Sequence, residues 1–418
     1  MKILVVGGGG REHAIVHALK KSPRVTELFC APGNGGIAAE AVCVPIKATD
    51  ISALVEFSVS EKFDLVMVAP DDPLALGLVD ELEKAGVRAF GPHARAAVVE
   101  SSKAFSKALM KKYGIPTAEY ETFSDISSAQ EYIQKQGAPI VVKADGLALG
   151  KGVVVAQTIE EAQDALRSMM EDKKFGDSGS TVVIEECMTG PEVTVLAFTD
   201  GKTIVPMLSS QDHKRVFDND EGPNTGGMGA FCPSPNYTPE IADFCMEKIF
   251  RPTINALAAE QRPFKGVIYF GLMLTPQGPR VIEYNARFGD PETQPILSML
   301  ETDLLDIFES VIDERLSELE ITWKKGSACC VVLASGGYPV AHRTGYEISG
   351  LDDVSPDVFV YHAGTSLKEG KFLTSGGRVL GITAAAENLS SAAELAYDGV
   401  SKISFTDRHY RTDIGKRS

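Results

Sequence analysis

Across the first hundred residues, short β-rich runs alternate with helical stretches: Lys2–Val6, a helix near Glu12–Lys20, Thr26–Cys30, Lys62–Ala69, a helix near Leu74–Ala85, then Val87–Phe90. This rhythm leaves few folds open, because strands joined through helices run parallel and a parallel sheet is buried under helices on both faces. A doubly wound parallel sheet is therefore expected over residues 1–101. Ser101 and Ser102 then cap a helical stretch, Lys103 to Tyr113, which Gly114-Ile115-Pro116 ends.

Beyond Pro139 the pattern changes. Two β runs, Ile140–Lys143 and Val153–Ala156, flank a glycine-bearing loop, and a helix over Ile159–Met170 and a strand at Thr181–Glu186 follow. They predict a small α+β unit at about 120–190, inside a central domain of residues 102–310. Three more strands, Thr203–Leu208, Gly266–Leu274 and Arg280–Tyr284, are interrupted by a polar segment, Ser209 to Gly229. A stretch that long without apolar periodicity reads as functional or mobile. After the solvated Glu309–Lys325 region, residues 326–418 read as strand, strand, strand, helix (Ala392–Ile403). The fold class is thus α/β and α+β, in several domains.

Forty-one basic residues against 57 acidic ones give a net charge of −16, a field that repels a phosphodiester backbone. Nucleic acid is excluded as a partner, and any phosphate must be held by local lysines, backbone N–H groups or a metal. No apolar run reaches the roughly 18 residues of a membrane helix. Seven cysteines without a CxxC spacing read as buried thiols of a reduced compartment, so a cytoplasmic location is expected.

Gly7-Gly8-Gly9-Gly10-Arg11-Glu12-His13 ends a strand and opens a helix, where free N–H groups and the helix dipole favour an anion. It fails the dinucleotide fingerprint, since GxGxxG from Gly7 requires glycine at Glu12. The alternative is a tight turn with close helix–sheet packing. Pro32-Gly33-Asn34-Gly35-Gly36 ends the neighbouring strand and can add amide donors. Gly146-Leu-Ala-Leu-Gly150-Lys151-Gly152 has three residues between its glycines and no hydroxyl after its lysine. It is therefore not a P-loop; a strand on either side makes it a hairpin flap over phosphates. Strand alternation puts Glu283 and Asn285 on one face and Ile282 and Tyr284 on the other. Two oxygen ligands on one strand suit Mg²⁺. Ala286 to Glu292 then adds a cation and two carboxylates, and the glycines of Gly222 to Gly229 let backbone approach a ligand closely.

Together these segments resemble the phosphoribosylamine–glycine ligases, also called glycinamide ribonucleotide synthetases, a purine-biosynthesis family of the ATP-grasp superfamily. The resemblance runs from GGGGREH and APGN through Ser102-Lys103-Ala104-Phe105, VVKADGLALGKGVVVA, SQDHKR, GPNTGGMGA, EYNARFGDPETQ and ASGGYP to TSGGRVLG and YRTDIG, nearly the whole chain. It implies an ATP-grasp fold between the N-terminal doubly wound domain and a C-terminal α+β domain. The implied reaction joins glycine to 5-phosphoribosylamine with ATP, through a glycyl phosphate, using Mg²⁺ or Mn²⁺, in a monomer or small homo-oligomer without nucleic-acid or membrane partners. The resemblance also implies roles. Lys103 and Lys143 contact ATP phosphates, Gly150, Lys151 and Gly152 belong to the flap over them, and Glu185, Glu186 and Glu192 serve adenine and ribose. Glu283 and Asn285 hold the metal. Asp212, Lys214 and Arg287 face glycine and its acyl phosphate, and Asp290 orients Arg287 or an amine. Gly8, Gly9, Gly10, Arg11, Asn34, Gly35 and Asp71 take phosphoribosylamine. Two departures stand out: Ala69-Pro70-Asp71-Asp72 where the family commonly has Gly-Pro-Glu, and Thr189-Gly190-Pro191-Glu192 where Gly-Glu-Glu-Ala is usual. The other readings are a different ATP-grasp carboxylate–amine ligase and a nucleotide-binding regulator without turnover.

Overall fold

The computed structural model describes residues 1–147, 152–172 and 176–416. Its first sheet is wholly parallel, in the order Val42–Cys43, Glu27–Pro32, Lys2–Gly7, Leu65–Val68, Ala89–Phe90. Ile3, Leu4, Val5 and Val6 are buried on both faces, as an unbroken apolar run in a parallel sheet demands. The helix Gly10–Lys20 follows the first strand directly. Glu12 closes its start by accepting the Gly9 N–H at 2.6 Å.

The unit expected at about 120–190 is a four-stranded antiparallel sheet, Tyr120–Phe123, Val182–Glu186, Ile140–Ala144, Val153–Ala156, with the helices Ile126–Gln136 and Ile159–Leu166. A second antiparallel sheet holds Ile204–Pro206, Glu192–Asp200, Lys265–Thr275 and Gly278–Asn285. The stacked rings of Phe90 and Phe308, 4.0 Å apart, bind the first sheet to the helix Leu304–Ile312 beside it. Burial of each such ring stabilises the contact by about 2 kcal/mol.

The polar segment, read as functional or mobile, holds regular structure that its sequence did not announce. Gln211–Asp212 and Gly229–Cys232 are strands, and they enter the sheet completed by Ser327–Ala334, Arg378–Ala386 and Val358–His362. Between them, Arg215–Phe217 and Glu221–Asn224 form a separate ribbon. Residues expected with the central domain thus supply two of the five strands of the C-terminal sheet. They are only two and four residues long, too short for a period to show. The helix expected over Ala392–Ile403 spans Leu389–Lys402, capped by Asn388, and a ribbon of Thr365–Lys368 with Lys371–Thr374 adds strands beyond the three expected. All seven cysteines are free thiols, five of them buried. Among the described residues no helix is long and apolar enough to cross a membrane.

Candidate active site

A cavity of about 900 Å³ opens where the three regions meet. One wall is the strand Gly278–Asn285, whose Glu283 and Asn285 both line it, as alternation predicts. The register slips opposite Gly271 and Leu272, inserting Ile282 as an extra residue. Ile282, at the bulge, and Tyr284 line the cavity too, correcting their expected place on the far face, and the Ile282 carbonyl accepts Lys143 Nζ at 3.2 Å.

Four cations surround Glu283. Lys103 Nζ donates to the Gly146 carbonyl at 2.8 Å, and Lys143 pairs with Glu185 at 2.9 Å. Lys214 pairs with Glu192 at 3.0 Å, and Arg287 with Glu100 at 3.0 Å. Burial works to raise the Glu283 carboxyl, yet Lys214, Lys143, Lys103 and Arg287 together outweigh it and hold the group below the ordinary carboxylate range. Lys214 is pushed well up, by Glu192 above all. Lys103 is pushed down by its own burial, which Lys143 reinforces. Lys103, with no carboxylate within ion-pair distance among the described residues, leaves a cation at this wall for a phosphate group. Glu283 and Asn285 are hard oxygen donors on one strand, and no group of three or more His, Cys, Asp or Glu capable of holding a metal exists among the described residues. The pair therefore fits a divalent ion that draws its remaining ligands from phosphate and water.

Asp212 and Glu292 line the same cavity without a cation within ion-pair distance among the described residues. Burial raises both carboxyls, and Glu292 raises that of Asp212 further, whereas Arg287 and Lys214 work against the rise at Glu292. Such a pair favours an ammonium group between them.

Of the expected sugar-side residues, Arg11 and Asp71 line the cavity; Gly8, Gly9, Gly10, Asn34 and Gly35 do not. The anion cradle expected at the glycine run is filled from within, because Glu12 takes the Gly9 N–H and also pairs with Arg11 at 2.7 Å. A Cβ at Gly8 would lie 2.4 Å from the Gly33 carbonyl, so the tight-turn reading accounts for that glycine. Asn34 Nδ2 donates to the carbonyls of Gly8 and His362, its Oδ1 accepts the N–H groups of Gly36 and Ile37, and the Gly35 N–H donates to Thr365. These bonds tie the loop after the second strand to the glycine run and to residues 362 and 365.

On the nucleotide side, Gly152, Glu185, Glu186 and Glu192 line the cavity. Gly150 and Lys151 lie outside the described residues. Asp290 is not the partner of Arg287: its carboxylate lies 3.4 Å from Arg378 and accepts Gln294 Nε2 at 3.0 Å, while Glu100 holds Arg287. The sequence reading also missed Lys107, which meets Glu185 at 3.0 Å; its spacing of four from Lys103 on one helix was the available signal. Arg378 was quoted only inside TSGGRVLG. It donates to the backbone carbonyls of Gly226 and Asp290, each at 2.7 Å, and so closes the cavity from the C-terminal sheet.

Fold and site define an ATP-grasp protein. Family models for the N domain, the ATP-grasp (A) domain and the C domain of phosphoribosylglycinamide synthetase match residues 1–100, 101–293 and 328–417. Phosphoribosylamine–glycine ligase of Caldanaerobacter subterraneus subsp. tengcongensis is 48% identical over 99% of this chain and 99% of its own. The crystal structure of phosphoribosylamine–glycine ligase from Thermotoga maritima superposes with a TM-score of 0.85 at 32% identity, covering 99% of this chain and 100% of that one. A biotin carboxylase–β,γ-ATP complex from Campylobacter jejuni shares the fold at 13% identity, with a TM-score of 0.76 over 98% of this chain and 93% of its own. The chain belongs to the phosphoribosylamine–glycine ligase family.

Proposed function

We propose that the protein joins glycine to 5-phosphoribosylamine with ATP, giving glycinamide ribonucleotide, ADP and phosphate through a glycyl phosphate, in purine biosynthesis. The observation that carries this reading is the single cavity in which four cations face Glu283 and Asn285, with Asp212 and Glu292 beside them and Arg11 and Asp71 beyond. Lys103 and Lys143 bind ATP phosphates, Glu185, Glu186 and Glu192 bound the adenine and ribose end, and Gly150, Lys151 and Gly152 belong to the cover. A divalent ion, Mg²⁺ or Mn²⁺, held by Glu283 and Asn285 neutralises phosphate charge when bound. Asp212, with Glu292, takes the ammonium of glycine, leaving its carboxylate toward Lys214 and Arg287. These two cations stabilise charge as the carboxylate attacks the γ-phosphorus and again as the amine displaces phosphate. Arg11 and Asp71 contact phosphoribosylamine; the glycines at 8, 9, 10 and 35, with Asn34, shape the loops that present them. Asp290 acts through Arg378.

The domain limits proposed remain 1–101, 102–310 and 326–418, in a cytoplasmic monomer or small homo-oligomer. Glycine labelled with oxygen-18 in its carboxylate tests the route. One labelled oxygen is expected in inorganic phosphate after a single turnover, and only when both glycine and phosphoribosylamine are supplied. Label in AMP would refute it, phosphate release with another acid or amine alone would favour a different ligase, and ATP binding without turnover would favour a regulator.

A further inference from the structure

Arg287 owes its place to an acid from outside its own segment. Glu100 lies near the end of the helix Ala94–Ser101 and is almost wholly buried. Its Oε1 lies 3.0 Å from Arg287 Nη2, and its Oε2 accepts the Ala286 N–H at 2.7 Å, so the two oxygens grip consecutive residues. The guanidinium also donates to the Phe288 carbonyl at 3.2 Å and to Asn285 Oδ1 at 3.4 Å. Among the described residues its Nε is buried without a hydrogen-bond partner. An arginine on the cavity wall, fixed through both terminal nitrogens by acceptors of the protein, presents its charge to the cavity in one place.

We propose that Glu100 is a positioning residue for the ligation, fixing the Arg287 guanidinium beside Glu283 and Asn285 before substrate arrives. This rests on the role given to Arg287 above. Burial pushes the Glu100 carboxyl up, with Arg287 the chief opposing influence, so the carboxylate charge depends on the guanidinium beside it. If Glu100 served packing alone, any acceptor for the Ala286 amide would replace it. Glutamine is such an acceptor, of the same shape and without the charge.

The test is Glu100→Gln, alone and with Arg287→Lys. The single variant should lose kcat by on the order of 10-fold to 10²-fold, the effect of misplacing a reacting-site group by about 1 Å, while KM for ATP stays within about two-fold. The double variant should lose little more than Arg287→Lys alone, because the two changes remove one interaction. A kcat near that of the parent, or losses that multiply in the double variant, would overturn the proposal. A crystal structure of Glu100→Gln decides the point without any assay: the guanidinium should leave Asn285 and the Phe288 carbonyl, and an unmoved Arg287 refutes the tether. If the parent makes no glycinamide ribonucleotide, the proposed reaction fails while that structure still decides the role of Glu100. If Glu100→Gln does not fold, Glu100→Asp replaces it under the same criteria, withdrawing the charge by one methylene.

Discussion

Glu283 is a carboxylate kept charged by cations on several elements rather than by one partner. Replacing it with alanine should leave nucleotide affinity nearly intact and reduce turnover by on the order of 10²-fold or more, since the charge it organises develops mainly during transfer. Nucleotide binding by calorimetry beside steady-state rates separates the two, and near-normal turnover would remove the metal assignment. Arg11 is different. Its side chain is 11% exposed and its partner Glu12 only 2%, so Arg11→Ala leaves a carboxylate buried without its cation. Stability should fall by about 3 kcal/mol, read from urea midpoints, in addition to any rise in KM for phosphoribosylamine. An unchanged midpoint would show that Glu12 does not depend on this pair.

Among the elements, the loop at Gly227 is tightly determined where it meets the cavity. Gly227 has φ +113, and a Cβ there would lie 2.4 Å from Pro291 Cδ and 2.7 Å from Asp212 Oδ1. Gly227→Ala should therefore strain the backbone and displace Asp212, raising KM for glycine by on the order of 10-fold with little change for ATP. Equal KM values for glycine in variant and parent would separate Asp212 from glycine binding. How far such elements could be read in advance depended on range. Glu283, Asn285, Lys143 and the strands carrying them were legible, because alternation and flanking loops are local signals. The Gly9-to-Glu12 spacing carried the helix-start signal too, but glycine in place of serine or threonine concealed that the helix would supply its own anion. Glu100, Arg378 and the strands at 211–212 and 229–232 were not legible in role. Their partners lie up to about 190 residues away in the chain, as for Glu100 and the Ala286 amide, and no periodicity reports such pairing.

Two interior histidines contribute a pH dependence to the stability of the whole molecule. Burial, reinforced by Arg411, pushes His213 down to about 4; burial, reinforced by His13, pushes His362 down to about 3. In the unfolded chain both titrate near pH 6.5. From about pH 6.5 down to about 4 the unfolded state thus binds more protons, so stability is full above that window and falls as the solution is acidified through it. Each ring contributes at most ~1.4 kcal/mol per pH unit. Urea midpoints at pH 7.5 and pH 5 should show the loss, and His362→Gln should lessen it; an unchanged slope in that variant would exclude this ring as a source.

The shared C-terminal sheet bears on the order in which the protein is made. A nascent chain that has reached residue 310 already holds Lys103, Lys143, Lys214, Glu283 and Arg287, yet Gly229–Cys232 still awaits Ser327–Ala334 along one edge, and the Gly226 and Asp290 carbonyls await Arg378. Until those segments leave the ribosome, the incomplete molecule presents an open strand edge with Ala230 and Phe231 on it, the kind of surface on which neighbouring chains aggregate. Slowing translation between residues 232 and 327 should therefore lower the yield of soluble protein more than slowing it after residue 386.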